Sequence, residues 1–297
     1  MAVVGPTASA KSDVAMGLAE RIGAEIISVD SVQVYREMDI GSAKPSPRML
    51  ARVRHHLIDV VDPEDSFTAA HCQRRARRII EAASVPLILC GGSGLHFRSV
   101  VDPLTFAPHD PAVRAEVGQL SPEAARDRLL DADRQAGRHV DLANPRRVAR
   151  ALEVLALTGA TPSRRAAEPA RRQVRAYRPL VPFRAVGLDP GGDIGERVSA
   201  RLGVMRKQGL LDEVAALADR MGPTASQAVG YRQLLPVVRG EMDEEEGFRQ
   251  VERATVALVK RQRTFFRRDP RIQWLPWRSD LDEMVSAAQE VLLGASA

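Results

Sequence analysis

The residues best suited to chemistry lie near the start of the chain, in Gly5-Pro6-Thr7-Ala8-Ser9-Ala10-Lys11-Ser12. An apolar run, Ala2-Val3-Val4, precedes them, and a helical pattern begins at Val14. Strand, small-residue loop, Lys-Ser and helix form the arrangement that cradles phosphates. Loop N–H groups and the positive end of the helix face the anion. The lysine reaches an outer phosphate, and the Ser12 hydroxyl can hold Mg²⁺. Ala10 stands where such loops usually carry glycine, so its backbone is expected to be right-handed. Of the 43 lysines and arginines only four are lysines, so a lysine at this position reads as chosen for its chemistry. Asp30 closes a second apolar run, Glu25-Ile26-Ile27-Ser28-Val29. A carboxylate at the C-terminal end of a strand sits where parallel α/β sheets place ligands. Gly91-Gly92-Ser93-Gly94 follows a third such run and allows close backbone approach to a ligand.

These groups need a scaffold, and the chain is long enough for one. It has 297 residues, 44% of them hydrophobic, which provides for one large domain or two smaller ones. The net charge of +5 fits a polyanionic partner. No run is long enough to cross a bilayer, and residues 1–10 lack the basic start and apolar stretch of a secretory signal. Cys72 and Cys90 have no metal-type spacing and read as free thiols in a reducing cytoplasm. The expectation is a cytoplasmic monomer without membrane attachment.

The pattern predicts strands at 25–29, 57–61, 85–90 and 185–189, and an edge strand at 272–275. Residues 31–47 have no helical period and read as a long functional loop. Helices are expected over 67–83, 193–207, 211–221, 231–239 and 244–267, with a last one through Leu293. Between them the texture changes. Residues 111–170 are rich in alanine and arginine, with helical periods and no strand. Val148, Leu152 and Leu155 form an apolar stripe there, and Arg146 and Arg150 share another face. The fold class is therefore α/β. A parallel-sheet core is split into residues 1–110 and 185–297 by an all-helical insertion at 111–184.

Several blocks, taken in order, carry a resemblance. They are Gly5 to Ser12, Asp30-Ser31-Val32-Gln33-Val34-Tyr35, Asp39-Ile40-Gly41-Ser42-Ala43-Lys44-Pro45, His55-His56-Leu57 and Gly91-Gly92-Ser93-Gly94-Leu95. Further on come Arg150-Ala151-Leu152-Glu153-Val154, Gln227-Ala228-Val229-Gly230-Tyr231 and Lys260-Arg261-Gln262. Together they resemble the tRNA dimethylallyltransferases, or isopentenyl-tRNA transferases, over nearly the whole chain. The resemblance implies transfer of a dimethylallyl group from its diphosphate to N6 of adenine 37, beside the tRNA anticodon. It also implies a P-loop kinase-like core with a helical insertion, and a phosphate loop that holds the prenyl donor's diphosphate rather than ATP. Ala10, Ser93, His96 and Asn144-Pro145 depart from the family's usual Gly, Thr, Tyr and Pro-Asn-Asp-like residues.

The chemistry implied sets the roles. An exocyclic amine is a poor nucleophile, so the leaving group must be stabilised and the N6 proton accepted. Lys11, Mg²⁺ on Ser12 and the loop N–H groups serve the leaving group. Arg197 matches a family arginine that clamps the same diphosphate. Asp30 is expected to act as general base toward N6, or else to bind Mg²⁺ through water. Ser93 is expected to hydrogen-bond near the bridging oxygen or N6, or to cap the helix that starts at Leu95. A flipped base is read on its edges, for which Gln33 beside Asp30, Ser31, Val32 and Ser93 is suited. The remaining tRNA contacts are expected from Arg114, Arg146, Arg147 and Arg150 on the insertion, from Gln227, Gly230, Tyr231 and Arg232, and from Lys260, Arg261, Arg263 and Arg267 on the late helix. His55-His56 reads as structural. Three alternatives stay open: a P-loop small-molecule kinase or NTPase, a prenyltransferase on free adenine nucleotides, and a non-catalytic RNA-binding module.

Overall fold

The computed structural model describes residues 1–294. Six strands form one sheet: β1 Ala2–Val4, β2 Glu25–Ser28, β3 His55–His56, β4 Leu87–Gly91, β5 Ala185–Gly187 and β6 Ile272–Trp274. Their order is β3-β2-β4-β1-β5-β6, and every pairing is parallel. Parallel strands are covered on both faces, and β1 shows how. Ala2 and Val4 enter one apolar cluster, while Val3 enters the other. Ile27 and Leu89 side with the first cluster, and Ile26 and Ile88 with the second.

The helices are α1 Lys11–Ile22, α2 Pro47–Arg52, α3 Ala69–Ala82, α4 Gly94–Val101, α5 Pro111–Gly118, α6 Pro122–Ala132, α7 Pro145–Thr158, α8 Pro162–Ala166, α9 Pro169–Arg175, α10 Ile194–Lys207, α11 Leu210–Leu217, α12 Tyr231–Val238, α13 Glu244–Arg267 and α14 Leu281–Leu293. On one face of the sheet, α1 packs against α14 through Val14, Leu18, Val285 and Leu292. The other face is covered by apolar residues of α3, α4, α11, α12 and α13, including Phe97, Val214, Leu234 and Phe266. Asp243 caps α13 by accepting from Glu246 N–H, and three glutamates in its first turn suit the positive end of the helix.

The chain divides into two compact units, one of residues 1–101 and 181–297 and one of residues 102–180. The second unit is helical throughout, around Val117, Leu129, Val148 and Leu152. Four of its helices begin alike: Asp110, Ser121, Asn144 and Thr161 each cap a helix whose next residue is proline. Proline there lacks only an N–H that would have no partner anyway. Asn144-Pro145 is thus a helix start.

Two expectations need correction. The helical unit begins nearer residue 102 than 111. The segment leading into α5 belongs to it, because Arg150 donates to the Ala107 and Pro108 carbonyls at 2.9 and 3.0 Å. No strand forms over 57–61. Leu57 (φ 63°) and Asp59 (φ 53°) are left-handed, which breaks an extended run. The strand lies one step earlier, at His55–His56, beside β2. Residues 59–61 instead bond to the Gln33 and Val34 carbonyls and anchor the long loop. His55 holds the Val53 carbonyl at 2.8 Å and His56 holds Glu25 at 2.6 Å, which are structural uses.

Candidate active site

The sheet order places the ends of β2, β4 and β1 side by side, and a cavity of about 960 Å³ opens there. Thr7 to Ser12, Asp30 to Gln33, Gly91 to Gly94, Arg197, Gln227 to Gly230 and Arg261 all line it. Lys11, Asp30, Ser93 and Arg197, far apart in sequence, therefore share one space.

The phosphate loop turns tightly against its neighbours. A Cβ on Gly5 would come within 2.4 Å of the Leu188 carbonyl oxygen, so only glycine fits. Thr7 N–H donates to Gln262 Oε1 at 2.8 Å, which ties the loop to α13. Contrary to expectation, Ala10 is left-handed (φ 55°), and so is Ala8 (φ 64°). An L-residue pays roughly 1–2 kcal/mol for that conformation. The tight turn into α1 imposes it whatever the residue, which is why a glycine suits the position. Ser9 Oγ is buried in the same loop without a hydrogen-bond partner.

Lys11 Nζ donates to the Pro6 carbonyl at 3.1 Å and meets no carboxylate at ion-pair distance among the described residues. Burial lowers its pKa, Cys90, Asp30 and Asp13 oppose that, and Arg201 adds to it. An anion in the cavity would supply the missing partner. Burial pushes the neighbouring Cys90 thiol up to about 11, so it stays protonated. Arg197 donates to the Ala8 carbonyl at 2.9 Å and lies 4.7 Å over the Trp277 ring. Arg201, one turn further along α10, lines the same cavity and has no hydrogen-bond partner among the described residues. Burial lowers its pKa too. It was missed from sequence, although its i, i+4 relation to Arg197 was the available signal.

Asp30 Oδ1 accepts from Val32 N–H at 2.8 Å and Gln33 N–H at 3.4 Å, while Oδ2 makes no hydrogen bond among the described residues. Ser93 Oγ lies 2.7 Å from His96 Nδ1. His96 stacks on Phe67, and burial lowers its pKa. Its Nε2 is buried and unpartnered. The Ser93 hydroxyl thus pairs with a ring on α4. Apolar walls come from Val198, Leu202, Val251, Leu258 and Phe265. A Cβ on Gly94 would fall 2.1 Å from Phe265, so that glycine is what admits the ring.

Ser12 is exposed, and Asp13 and Asp30 share its cavity. No group of three or more metal-binding side chains occurs among the described residues. Mg²⁺ keeps several waters and binds through substrate phosphates with one or two protein oxygens, so this donor set fits it.

The expected RNA-reading residues separate into three groups. Ser31, Val32, Gln33, Gln227, Gly230 and Arg261 line the cavity, and Arg146, Arg147, Arg232 and Lys260 are exposed. The Gln33 amide is engaged, accepting from Ser28 Oγ at 2.9 Å and donating to the Ala43 carbonyl at 3.2 Å. The others are engaged by groups of the protein itself. Tyr231 is fully buried and donates to Glu213 at 2.6 Å, and burial and that carboxylate raise its pKa. Arg263 and Arg267 bind Asp189 at 2.7 and 3.1 Å. Burial pushes the Asp189 carboxyl up, but the Gly191 N–H and the two guanidiniums outweigh it and hold it below its ordinary range. Arg150 and Arg114 lie 2.8 and 3.4 Å from Glu153, and His109 bonds it as well. An arginine stripe does not reveal whether a distant acid will claim it.

A parallel α/β core whose first loop, strand-end carboxylate and arginine pair share one cavity defines the class: a P-loop-like fold. The family described as IPP transferase matches residues 33–269. The chain is 40% identical to a tRNA dimethylallyltransferase of Streptomyces avermitilis, covering 97% of this chain and 94% of the relative. It is 41% identical to one of Thermobifida fusca, covering 97% and 92%. A crystal structure of a full-length tRNA isopentenylpyrophosphate transferase from Bacillus halodurans is 31% identical over 99% of this chain and 97% of that one, with a TM-score of 0.70. A eukaryotic dimethylallyltransferase acting on tRNA shares the fold, with a TM-score of 0.74 at 19% identity over 92% of this chain and 72% of that one. The chain belongs to the IPP transferase family.

Proposed function

We propose that this protein transfers a dimethylallyl group from dimethylallyl diphosphate to N6 of adenine 37 in tRNA, releasing diphosphate. The observation that carries this reading is the single cavity in which Lys11, Arg197 and Arg201 stand with Asp30, Ser93 and an apolar wall. The cations suit a diphosphate, the apolar side chains suit a prenyl chain, and the carboxylate suits an amine losing its proton.

In the step proposed, the N6 lone pair attacks C1 of the dimethylallyl group. The C1–O bond breaks, and its electrons leave with diphosphate. The proton on N6 turns acidic as the amine becomes cationic, and Asp30 Oδ2 takes it. The two backbone N–H bonds to Oδ1 fix the carboxylate's direction. Lys11, Arg197, Arg201 and the loop N–H groups stabilise the charge that develops on the leaving oxygen. Mg²⁺, held through Ser12, would neutralise part of the diphosphate charge. Ser93, oriented by His96, holds the bridging oxygen or N6 in line. The apolar wall keeps water from the allylic carbon.

The relatives reported above are named as tRNA-modifying transferases, which favours a tRNA acceptor over the kinase alternative. We further propose a monomer acting in the cytoplasm, where the buried thiols Cys72 and Cys90 stay reduced. No helix among the described residues is long and apolar enough to cross a membrane.

Radiolabelled dimethylallyl diphosphate incubated with tRNA, AMP or no acceptor, with ATP hydrolysis followed in parallel, tests the reading. Label is expected in tRNA alone, and ATP turnover without label transfer would overturn it. Asp30→Asn is expected to lower the single-turnover rate by ~10²–10⁴, with donor affinity changed less than about tenfold. Rescue of this variant by high Mg²⁺ would reassign Asp30 from base to metal contact.

A further inference from the structure

The helical unit has a cavity of its own, of about 380 Å³, which shares no lining residue with the phosphate-loop cavity. Arg138, Arg165, Arg171 and Arg175 line it, with His139 and Thr105 beside them. The rest of the lining is apolar, and no aspartate or glutamate takes part. A volume of this order suits a small organic ligand.

The four arginines are poorly matched by the protein itself. Among the described residues Arg138 meets only the Gln135 amide oxygen, at 3.4 Å, and Arg175 donates to the Ala166 carbonyl. Arg171 lies 3.7 Å from Glu168, beyond hydrogen-bonding range, and its Nε is buried without a partner. Arg165 has no partner among the described residues, and burial followed by the charge of Arg171 lowers its pKa. Glu153 in the same unit shows the contrast, because there Arg114, Arg150 and His109 converge on a buried carboxylate. Arg165 and Arg171 are half-buried, Arg138 and Arg175 are exposed, and Glu168 is the one carboxylate at ion-pair distance from any of the four among the described residues. Like charges outnumbering their acid in this way repel unless a further anion joins them. Guanidinium forks match phosphoryl oxygens in pairs.

We propose that this cavity binds a phosphoryl group carried by a small phosphorylated molecule with an apolar body. The guanidiniums take the phosphoryl oxygens, and Arg171 Nε–H gains the acceptor it lacks.

Calorimetric titration of the full chain with inorganic diphosphate tests this. Wild type is expected to bind two equivalents. Lys11→Ala should keep only the helical-unit site, and Arg165→Gln/Arg171→Gln only the phosphate-loop site. A Lys11→Ala chain that binds none, or a double variant that still binds two, would overturn the proposal. Should the double variant lose helical circular dichroism, Arg165→Lys and Arg171→Lys are read instead. Each keeps the charge, loses the fork and is expected to bind about tenfold more weakly at this site; unchanged affinity in both overturns it. A short RNA hairpin is titrated into diphosphate-loaded Lys11→Ala as well. Displacement would overturn the proposal by making the site part of the RNA surface, and no displacement supports a free phosphorylated molecule. Label transfer to tRNA by the double variant, measured alongside, keeps this result separate from the prenyl-transfer reading.

Discussion

Two of the four lysines line the same cavity and are treated in opposite ways. Lys44 is nearly buried, with 6% of its side chain exposed, and its ammonium meets Asp39 and Asp59 at 2.5 Å each and the Tyr35 carbonyl at 2.6 Å. It pins both halves of the long loop to residues 57–61. Lys11 meets a carbonyl and no carboxylate, in surroundings that disfavour its charge. A lysine whose partners come from the protein holds structure, whereas one left without an anion is placed to receive one.

The contrast can be broken by exchanging which lysine is lost. Lys11→Ala is expected to raise the barrier to prenyl transfer by about 3–4 kcal/mol and to leave tRNA affinity and melting temperature nearly unchanged. Near-wild-type turnover would remove the phosphate loop from the mechanism. Lys44→Met should do the reverse in part. Removing the shared donor leaves Asp39 and Asp59, 62% and 44% exposed, to water and the Tyr35 carbonyl without its partner, at a cost of about 1 kcal/mol in denaturant unfolding, and any loss of rate should track loss of folded protein. A fully stable Lys44→Met chain would show the ion pairs to be incidental.

Ala10→Gly sharpens the comparison on the Lys11 side. Relief of the left-handed alanine, less the greater freedom of glycine in the unfolded chain, should stabilise the protein by up to ~1 kcal/mol. Donor affinity should hold or improve. A less stable variant would mean that the Cβ of Ala10 makes contacts worth more than its strain.

The smallest effect concerns His96. Its pKa is lowered by burial, so the unfolded chain binds more protons than the folded one between the folded value and about 6.5. Stability should therefore rise with pH across that window and be lost as pH falls through it. Since burial lowers the pKa of His55 as well, the measurement is the difference between wild type and His96→Gln. That difference should shrink toward acid pH, and a difference independent of pH would sink the assignment.

Much of this is legible in the sequence alone. Gly5 to Ser12 followed by an apolar helix, the strand-end Asp30 and the long amphipathic run 244–267 are local patterns, and each appears as an element or turn of the expected kind. The helical unit was legible from its period, although its four cap-proline starts went unused. What escaped depends on residues distant in sequence. Nothing near Tyr231 announces Glu213, and nothing near Arg263 or Arg267 announces Asp189. The left-handed Ala10, Leu57 and Asp59 are set by how their loops are anchored, which propensity does not record. Arg201 was visible as a residue, but its cavity was not.

The bond from Thr7 N–H to Gln262 spans 255 positions of sequence, and β1 lies between β4 and β5. During synthesis the first loop leaves the ribosome long before either partner exists. At ~5–20 residues per second, the phosphate loop waits on the order of 10–50 s for the helix that closes it. A nascent chain truncated before α13 thus carries every residue of the phosphate loop while lacking the contact that ties the loop down. Newly made protein is expected to gain donor affinity only once translation is nearly complete, a delay that stalled nascent chains of increasing length would resolve.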